Sequence, residues 1–172
     1  MTATPRAARA LEPSFSSAEF RAALGMFATG VTIITAQGAD GVRVGVTANS
    51  FNSVSLSPPL VLWSLARQAS TMAVFGRGSH YAVNILAADQ RAVAEQFASR
   101  RLDRFHGIAF REGRCGAPVL EGAAAVFECF NRSRYDEGDH VIFVGQVEHC
   151  ERRKGASPLI FHGGHYFTEL PL

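Results

Sequence analysis

A chain of 172 residues, 47% of them apolar, is long enough for one substantial core and short for two, so a single domain is expected. Its 17 basic and 15 acidic residues leave a formal charge of +2, and the basic ones are scattered apart from the turn-like Arg152-Arg153-Lys154, a distribution that argues against a nucleic-acid partner. Cys115, Cys129 and Cys150 are odd in number and lack C-x-x-C spacing, which favours reduced thiols in a cytoplasmic protein over a disulfide framework.

Residues 1–14, MTATPRAARALEPS, lack the continuous apolar core of a signal peptide and are expected to form a disordered tail ahead of one domain over 15–172. No run approaches the roughly twenty apolar residues that span a bilayer. Ser16-x-x-Glu19 has the spacing of a capping box, and Phe20, Ala23, Leu24 and Phe27 follow at helical intervals; this predicts a helix from about Ser17 to Ala28, ended by Gly30. The β-branched runs Val31–Ala36 and Val42–Asn49 flank QGADG and predict a hairpin. Pro58-Pro59 cannot donate to a ladder and is expected to punctuate the sheet before LVLWSL starts a third strand.

Further along, Ser70 or Thr71 is placed to cap a short helix in TMAVFGRG, and His80–Leu86 reads as a buried strand. Asp89 is the expected N-cap of DQRAVAEQFAS, whose Ala92, Val93, Gln96 and Phe97 recur at helical spacing. Arg100–Leu120 is polar and aperiodic, hence a long loop of the kind that serves a site or an interface. AAVFECFNRSRY, HVIFVGQVEHCER and PLIFHGGHYFT read as three more strands, the first two joined at EGD. About six or seven strands linked by tight turns, with a few short helices inserted, predict a mainly β fold, an antiparallel barrel and not a doubly wound parallel sheet.

The chain has no G-x-G-x-x-G after a strand, no G-x-x-x-x-G-K-[ST], no H-E-x-x-H and no G-x-S-x-G. A hydrolytic triad can be assembled on paper from Asp139, His140 and any of several serines, but nothing marks one serine as a nucleophile. His162-x-x-His165 is the one pair at ligand spacing; it lacks neighbouring cysteines and encloses the turn-like Gly163-Gly164, so no metal is expected.

The segment that resists a purely structural reading is GVTANSFNSVSLSPPLVLWSL, Gly45 to Leu65, where Thr47, Asn49, Ser50, Asn52, Ser53, Ser55 and Ser57 put a hydroxyl or amide at almost every gap between apolar residues. Buried, such groups need partners. Small side chains let a planar ligand approach the backbone, and mixed donors and acceptors match a heterocycle edge of the flavin kind. A Ser/Thr-rich edge strand wetted by solvent satisfies the same residues. In ARQAST, Arg67, Ser70 and Thr71 at a helix start suit a phosphate, or a capped surface helix. In EGDH, Asp139 at a turn is placed to orient His140.

In order along the chain, FATGVTIIT, GVTANSFNSVSLSPPLVLWSL, YAVNIL, DRFHGI, GDHVIFVGQV and PLIFHGGHY resemble the flavin reductase family, the short-chain NAD(P)H:flavin oxidoreductases that supply reduced flavin to two-component monooxygenases. The resemblance implies an FMN-binding split barrel of antiparallel Greek-key type, usually a homodimer with flavin near the subunit interface. It implies that Gly30, Val31, Thr32, Ala48, Asn49, Ser50, Phe51, Ser53 and Ser55 surround the ring and ribityl chain of FMN or FAD. Arg67, Ser70 and Thr71 would lie toward the phosphate, and Ala82 would contact the cofactor. GDH would mark the nicotinamide side, with Asp139 and His140 positioning NADH or NADPH and His140 the residue nearest the chemistry.

The expected activity is hydride transfer from the nicotinamide to flavin, followed by release of reduced flavin to a partner monooxygenase. Two alternatives stay open on sequence: a non-catalytic flavin-binding or electron-storage protein on the same barrel, and an oxidase of phosphorylated amines. The second would need a further basic cluster for its substrate.

Overall fold

The first helix begins as its spacing predicts. Ser16 Oγ accepts the Glu19 N–H at 3.2 Å, while the Glu19 carboxylate accepts the Ser16 N–H and the Ser16 hydroxyl, each at 2.8 Å, and these last two bonds hold the Glu19 carboxyl below its ordinary range. In the computed structural model, which describes residues 11–169, this helix α1 covers Ser17–Gly25 and stops short of Ala28. The Gly25 carbonyl accepts the Gly163 N–H at 2.9 Å, and Thr29–Gly30 leaves the helix to pair as a short strand, β1. Pairing with a distant segment thus overrides the helical periodicity that Phe27 continues. The tail expected over 1–14 lies mostly outside the described residues; 11–14 have no regular structure and are exposed.

Strands β2 (Thr32–Gln37) and β3 (Arg43–Ala48) form the expected hairpin, closed by Gly38 N–H to Val42 O at 2.8 Å. The polar segment then divides. Its second half is itself a strand, β4 (Asn52–Leu56), so LVLWSL is not the third strand of the sheet but part of β5 (Pro59–Ala66), with Pro58 in the β4–β5 turn and Pro59 at the strand start. Val54 and Leu56 alternate with Ser53 and Ser55, but on this outer strand the apolar side chains are exposed and the polar segment around them hides the alternation.

The helix α2 (Met72–Arg77) has Thr71 at its N-cap, without a side-chain capping bond, and β6 (His80–Ile85) follows. Asp89 does not cap the next helix. It sits within a 3₁₀ turn over Ala88–Gln90, and α3 (Arg91–Ala98) starts from Gln90, whose side chain reaches back to the Ala87 N–H at 3.0 Å. The predicted long loop contains a hairpin of β7 (Phe110–Glu112) and β8 (Pro118–Leu120). Beyond it run β9 (Ala125–Glu137) and β10 (His140–Arg152), and PLIFHGGHYFT folds into two strands, β11 (Leu159–His162) and β12 (His165–Thr168), because Gly163 and Gly164 both take positive φ between them.

Twelve strands are described, all paired antiparallel: seven in one sheet of order β3-β2-β6-β9-β10-β5-β4, three in β1-β11-β12 and two in β7-β8. The mainly β fold with short helices is the class expected from sequence. No described helix is long and apolar enough to cross a membrane.

The curled seven-stranded sheet encloses one cluster around Trp63, which stacks on Phe143 at 4.7 Å and meets the edges of Phe75 and Tyr81 at 5.0 and 5.6 Å. Each such ring contributes roughly 2–3 kcal/mol by leaving water. Burial pushes the Tyr81 phenol up and the Cys129 thiol up to about 12, so neither ionises near neutrality. A second cluster joins Val31, Ile33, Leu86, Phe97, Leu120 and Leu159. Here the Phe97 ring of α3 lies directly on the backbone of β3: a Cβ at Gly45 would stand 2.3 Å from it, so only glycine fits.

Candidate active site

Two registers bring the site together. Thr32 pairs with Ala48 across β2–β3, and Ala66 pairs with His140 across β5–β10. Curling of the sheet sets Val46–Ser50, as the chain leaves β3, beside Ser64–Ala66 and Ala69; with His140 these residues line a cleft of about 350 Å³. Its floor is fixed from below, where the buried Thr32 hydroxyl donates to the Ala48 carbonyl at 2.7 Å. Thr47 turns away and donates to the Ala94 carbonyl of α3 at 2.7 Å.

Ser50 does something a backbone would normally do. Pairing of β4 with β5 ends at Asn52↔Leu62, leaving Ser64 without a ladder partner on that side, and the Ser50 hydroxyl accepts the Ser64 N–H at 2.9 Å. The next side chain back, Asn49, is exposed at the cleft and makes no hydrogen bond among the described residues, so its amide offers both a donor and an acceptor.

At the mouth, His140 Nδ1 lies 2.7 Å from Asp139 Oδ1. The hydrogen bond from His140, and then its charge, hold the Asp139 carboxyl below the usual carboxylate range. With Nδ1–H committed to Asp139, Nε2 is the nitrogen left for a ligand.

A second cleft, of about 460 Å³, borders the other half of β3. Val42–Gly45, Ser70, Thr71 and residues 100–105 line it, so that its lining is next in sequence to that of the first cleft at Gly45–Val46 and at Ala69–Ser70. Four arginines, Arg43, Arg100, Arg101 and Arg104, and one acidic residue, Asp103, are in its lining, the Arg43 guanidinium lying over the Phe110 ring at 5.0 Å. Arg104 donates to the Gly45 carbonyl at 2.9 Å. Thr71 is 7% exposed, and its hydroxyl has no partner among the described residues. An orphaned hydroxyl among guanidinium groups fits an anionic ligand group, phosphate above all.

Of the residues singled out in the sequence, Ala48, Asn49, Ser50 and His140 converge on the first cleft, with Asp139 beside them, and Ser70 and Thr71 line the second. The others lie elsewhere. Gly30 pairs with Ile160, Val31 fills the second core cluster, and Thr32 acts from beneath. Phe51 stacks on Phe127 at 5.6 Å. Ser53 and Ser55 sit on the outer strand β4, where the Asn52 amide oxygen takes the Ser53 N–H and the Ser55 hydroxyl takes the Ser57 N–H. Ala82 is fully buried against Ala117 and Val119. Arg67 donates to the Gly138 carbonyl and pairs with Asp136.

Sequence reasoning missed Ser64, Ala66 and Ala69, which carry no chemical signature, and the arginines of the second cleft. Arg104 was visible within DRFHGI, but its partner Gly45 is distant in sequence. His162 and His165 are paired across a hairpin turn, and no group of three ligand-type side chains is gathered among the described residues.

The donor set fits a flavin: an amide and hydroxyl at one end for the ring's mixed edge, guanidinium groups and an orphaned hydroxyl at the other for the phosphate. The comparisons with known proteins point the same way. The family model for the flavin reductase like domain matches residues 24–169. The chain is 44% identical over 149 residues to the FMN reductase (NADH) SmoA of Agrobacterium fabrum, covering 87% of this chain and 84% of that protein. It is 41% identical to the reductase component of the flavin-dependent trigonelline monooxygenase of Acinetobacter baylyi, across 87% of this chain but about half, 48%, of that one. The Streptomyces globisporus NADH:FAD oxidoreductase SgcE6, solved with NAD and FAD fragments, superposes with a TM-score of 0.87 at 36% identity, over 95% of this chain and 98% of that chain.

Proposed function

The chain belongs to the flavin reductase-like family, and from that premise we propose that it is an NAD(P)H:flavin oxidoreductase that passes hydride from NADH or NADPH to FMN or FAD and gives up the reduced flavin to a separate monooxygenase. The observation that carries this reading is the pair of clefts bordering the two halves of β3, one neutral and hydrogen-bonding at Asn49–Ser50 with His140 in its lining, the other cationic at Arg104–Thr71. Bound flavin supplies the electron-accepting ring.

The protein's task is placement. Asn49 and the backbone leaving β3 meet the polar edge of the ring, and that backbone is held before the ligand arrives by Thr32 at the Ala48 carbonyl and by the tie of Ser50 to the Ser64 N–H of β5. Thr71, Ser70, Arg101 and Arg104 hold the phosphate end. His140, oriented by Asp139, presents Nε2 to the nicotinamide side. Hydride transfer needs no enzymic proton at the moment of transfer, so His140 binds and aligns and does not act as an acid. The ring end is built from neutral groups, which supports loose binding and release of the product.

Supporting a homodimer is α1, on which Phe20 and Leu24 are 51% and 57% exposed, with Phe15, Met26 and Phe27 also uncovered. No residue of this helix is buried, and so short a helix needs an apolar face to rest on. Free thiols at Cys115, Cys129 and Cys150 support a reducing, cytoplasmic setting.

The test is to mix protein, NADH or NADPH, and FMN or FAD in air and follow nicotinamide absorbance. Flavin-dependent oxidation well above the flavin-free rate is expected; its absence with every pairing would refute the reading.

A further inference from the structure

Arg67 stands immediately beyond the last β5–β10 pair, Ala66↔His140. From there it grips the two-residue turn between β9 and β10 at several points. Its backbone N–H donates to the Asp139 carbonyl at 2.9 Å, its Nε–H donates to the Gly138 carbonyl at 2.9 Å, and its Nη1 lies 3.1 Å from Asp136 Oδ1. The turn needs such a grip. Gly138 has φ +58°, and the Asp139 side chain is 95% exposed, its only hydrogen bond among the described residues being the one with His140. An Asp–His contact that far into solvent is weak by itself, and where it points depends on the backbone that carries it.

We propose that Arg67 is a positioning residue for the nicotinamide side of the site, acting through the Gly138–Asp139 turn to hold Asp139 against His140, and that it takes no part in binding the flavin phosphate. The Arg67–Asp136 ion pair, with both side chains largely exposed, adds little to stability. What it adds is direction: a planar guanidinium engages a carbonyl through Nε and a carboxylate through Nη1 at once, while a lysine ammonium, a single point of charge, has to choose between them. The proposal rests on the assignment of His140 to the nicotinamide.

The experiment compares Arg67→Ala, Arg67→Lys and Asp136→Asn with the wild type in three readouts: KM for NADH against kcat, flavin affinity by fluorescence, and imidazole ¹⁵N spectra of His140. Losing the charged hydrogen bonds in Arg67→Ala is expected to raise KM for NADH about five- to tenfold with kcat within about twofold and flavin affinity unchanged. The His140 spectrum should lose the Nδ1–H form bonded to carboxylate. Arg67→Lys should recover less than half of the effect, and Asp136→Asn, which touches neither cleft, should raise KM about twofold, keeping the test alive if Arg67→Ala folds poorly. A fall in flavin affinity at unchanged KM for NADH would assign Arg67 to the phosphate and overturn the proposal, as would an unaltered His140 spectrum. If the wild type oxidises no NADH with flavin, the reductase reading fails, and the imidazole spectra still decide whether Arg67 orders the turn.

Discussion

The two clefts along β3, one neutral and one cationic, are built by different means. At the neutral end the framework is largely bonded in advance, Thr32 with the Ala48 carbonyl, Ser50 with the Ser64 N–H and His140 Nδ1 with Asp139, while Asn49 and His140 Nε2 stay open. The cationic end gathers four arginines and one aspartate, with Arg104 tied to the Gly45 carbonyl, Arg43 over the Phe110 ring, and the buried Thr71 hydroxyl without a partner among the described residues. On the proposed reading, affinity is concentrated at the cationic end and alignment at the neutral one.

Substitutions at each end should separate these roles. Arg104→Ala removes a charged donor from the cationic end and unties the Gly45 carbonyl; flavin should bind about 10- to 100-fold more weakly in a fluorescence titration, with KM for NADH little changed. An equal loss in both would mean that the two ends do not act separately. His140→Ala should raise KM for NADH about tenfold in steady-state kinetics while flavin affinity holds.

Thr71→Val sharpens the contrast further, because it exchanges an orphaned hydroxyl for a methyl of the same shape. Thermal melting of the flavin-free protein should show it at least as stable as the wild type, by up to about 1 kcal/mol, while flavin affinity falls about fivefold. Loss of stability without loss of affinity would place the hydroxyl in the fold and not in the site.

The smallest effect concerns acid. Since the folded Asp139 pKa lies below its unfolded value, its contact with His140 is intact above the unfolded value and lost as pH falls through the folded one. KM for NADH should therefore rise at the acid end, below the ordinary carboxylate range. Asp139→Asn should remove that limb while leaving melting at neutral pH unchanged, because the side chain is exposed.

Short-range chemistry made much of the fold readable. The Ser16–Glu19 capping box, the QGADG hairpin and the turn at Gly138 each depend on residues within a few positions of one another. What could not be read depends on which of several possible partners is taken. Asp89 is absorbed into a 3₁₀ turn that the Gln90 side chain closes at the Ala87 N–H, Phe110–Glu112 is a strand because Pro118–Leu120 returns beside it, and β4 stayed hidden because its apolar Val54 and Leu56 face outward within a polar segment. The site follows the same rule. Its polar residues announced a ligand, while the convergence of Ala48, Ser64 and His140 is a product of register and curl that no local pattern encodes. The resemblance to a known family named Ala48 and His140 but not Ser64, along with positions such as Ala82 that the fold puts in the core.

The glycine at the centre of β3 closes a circuit. Its Cα carries the Phe97 ring, Phe97 meets Phe105 edge-on at 5.0 Å, Phe105 follows Arg104, and Arg104 returns to the Gly45 carbonyl. The Arg104–Phe105 segment is thereby moored twice to a single residue, once through the stacked rings and once through a hydrogen bond, so that a methyl group added at Gly45 would displace the ring and, with it, the guanidinium that returns to the same peptide.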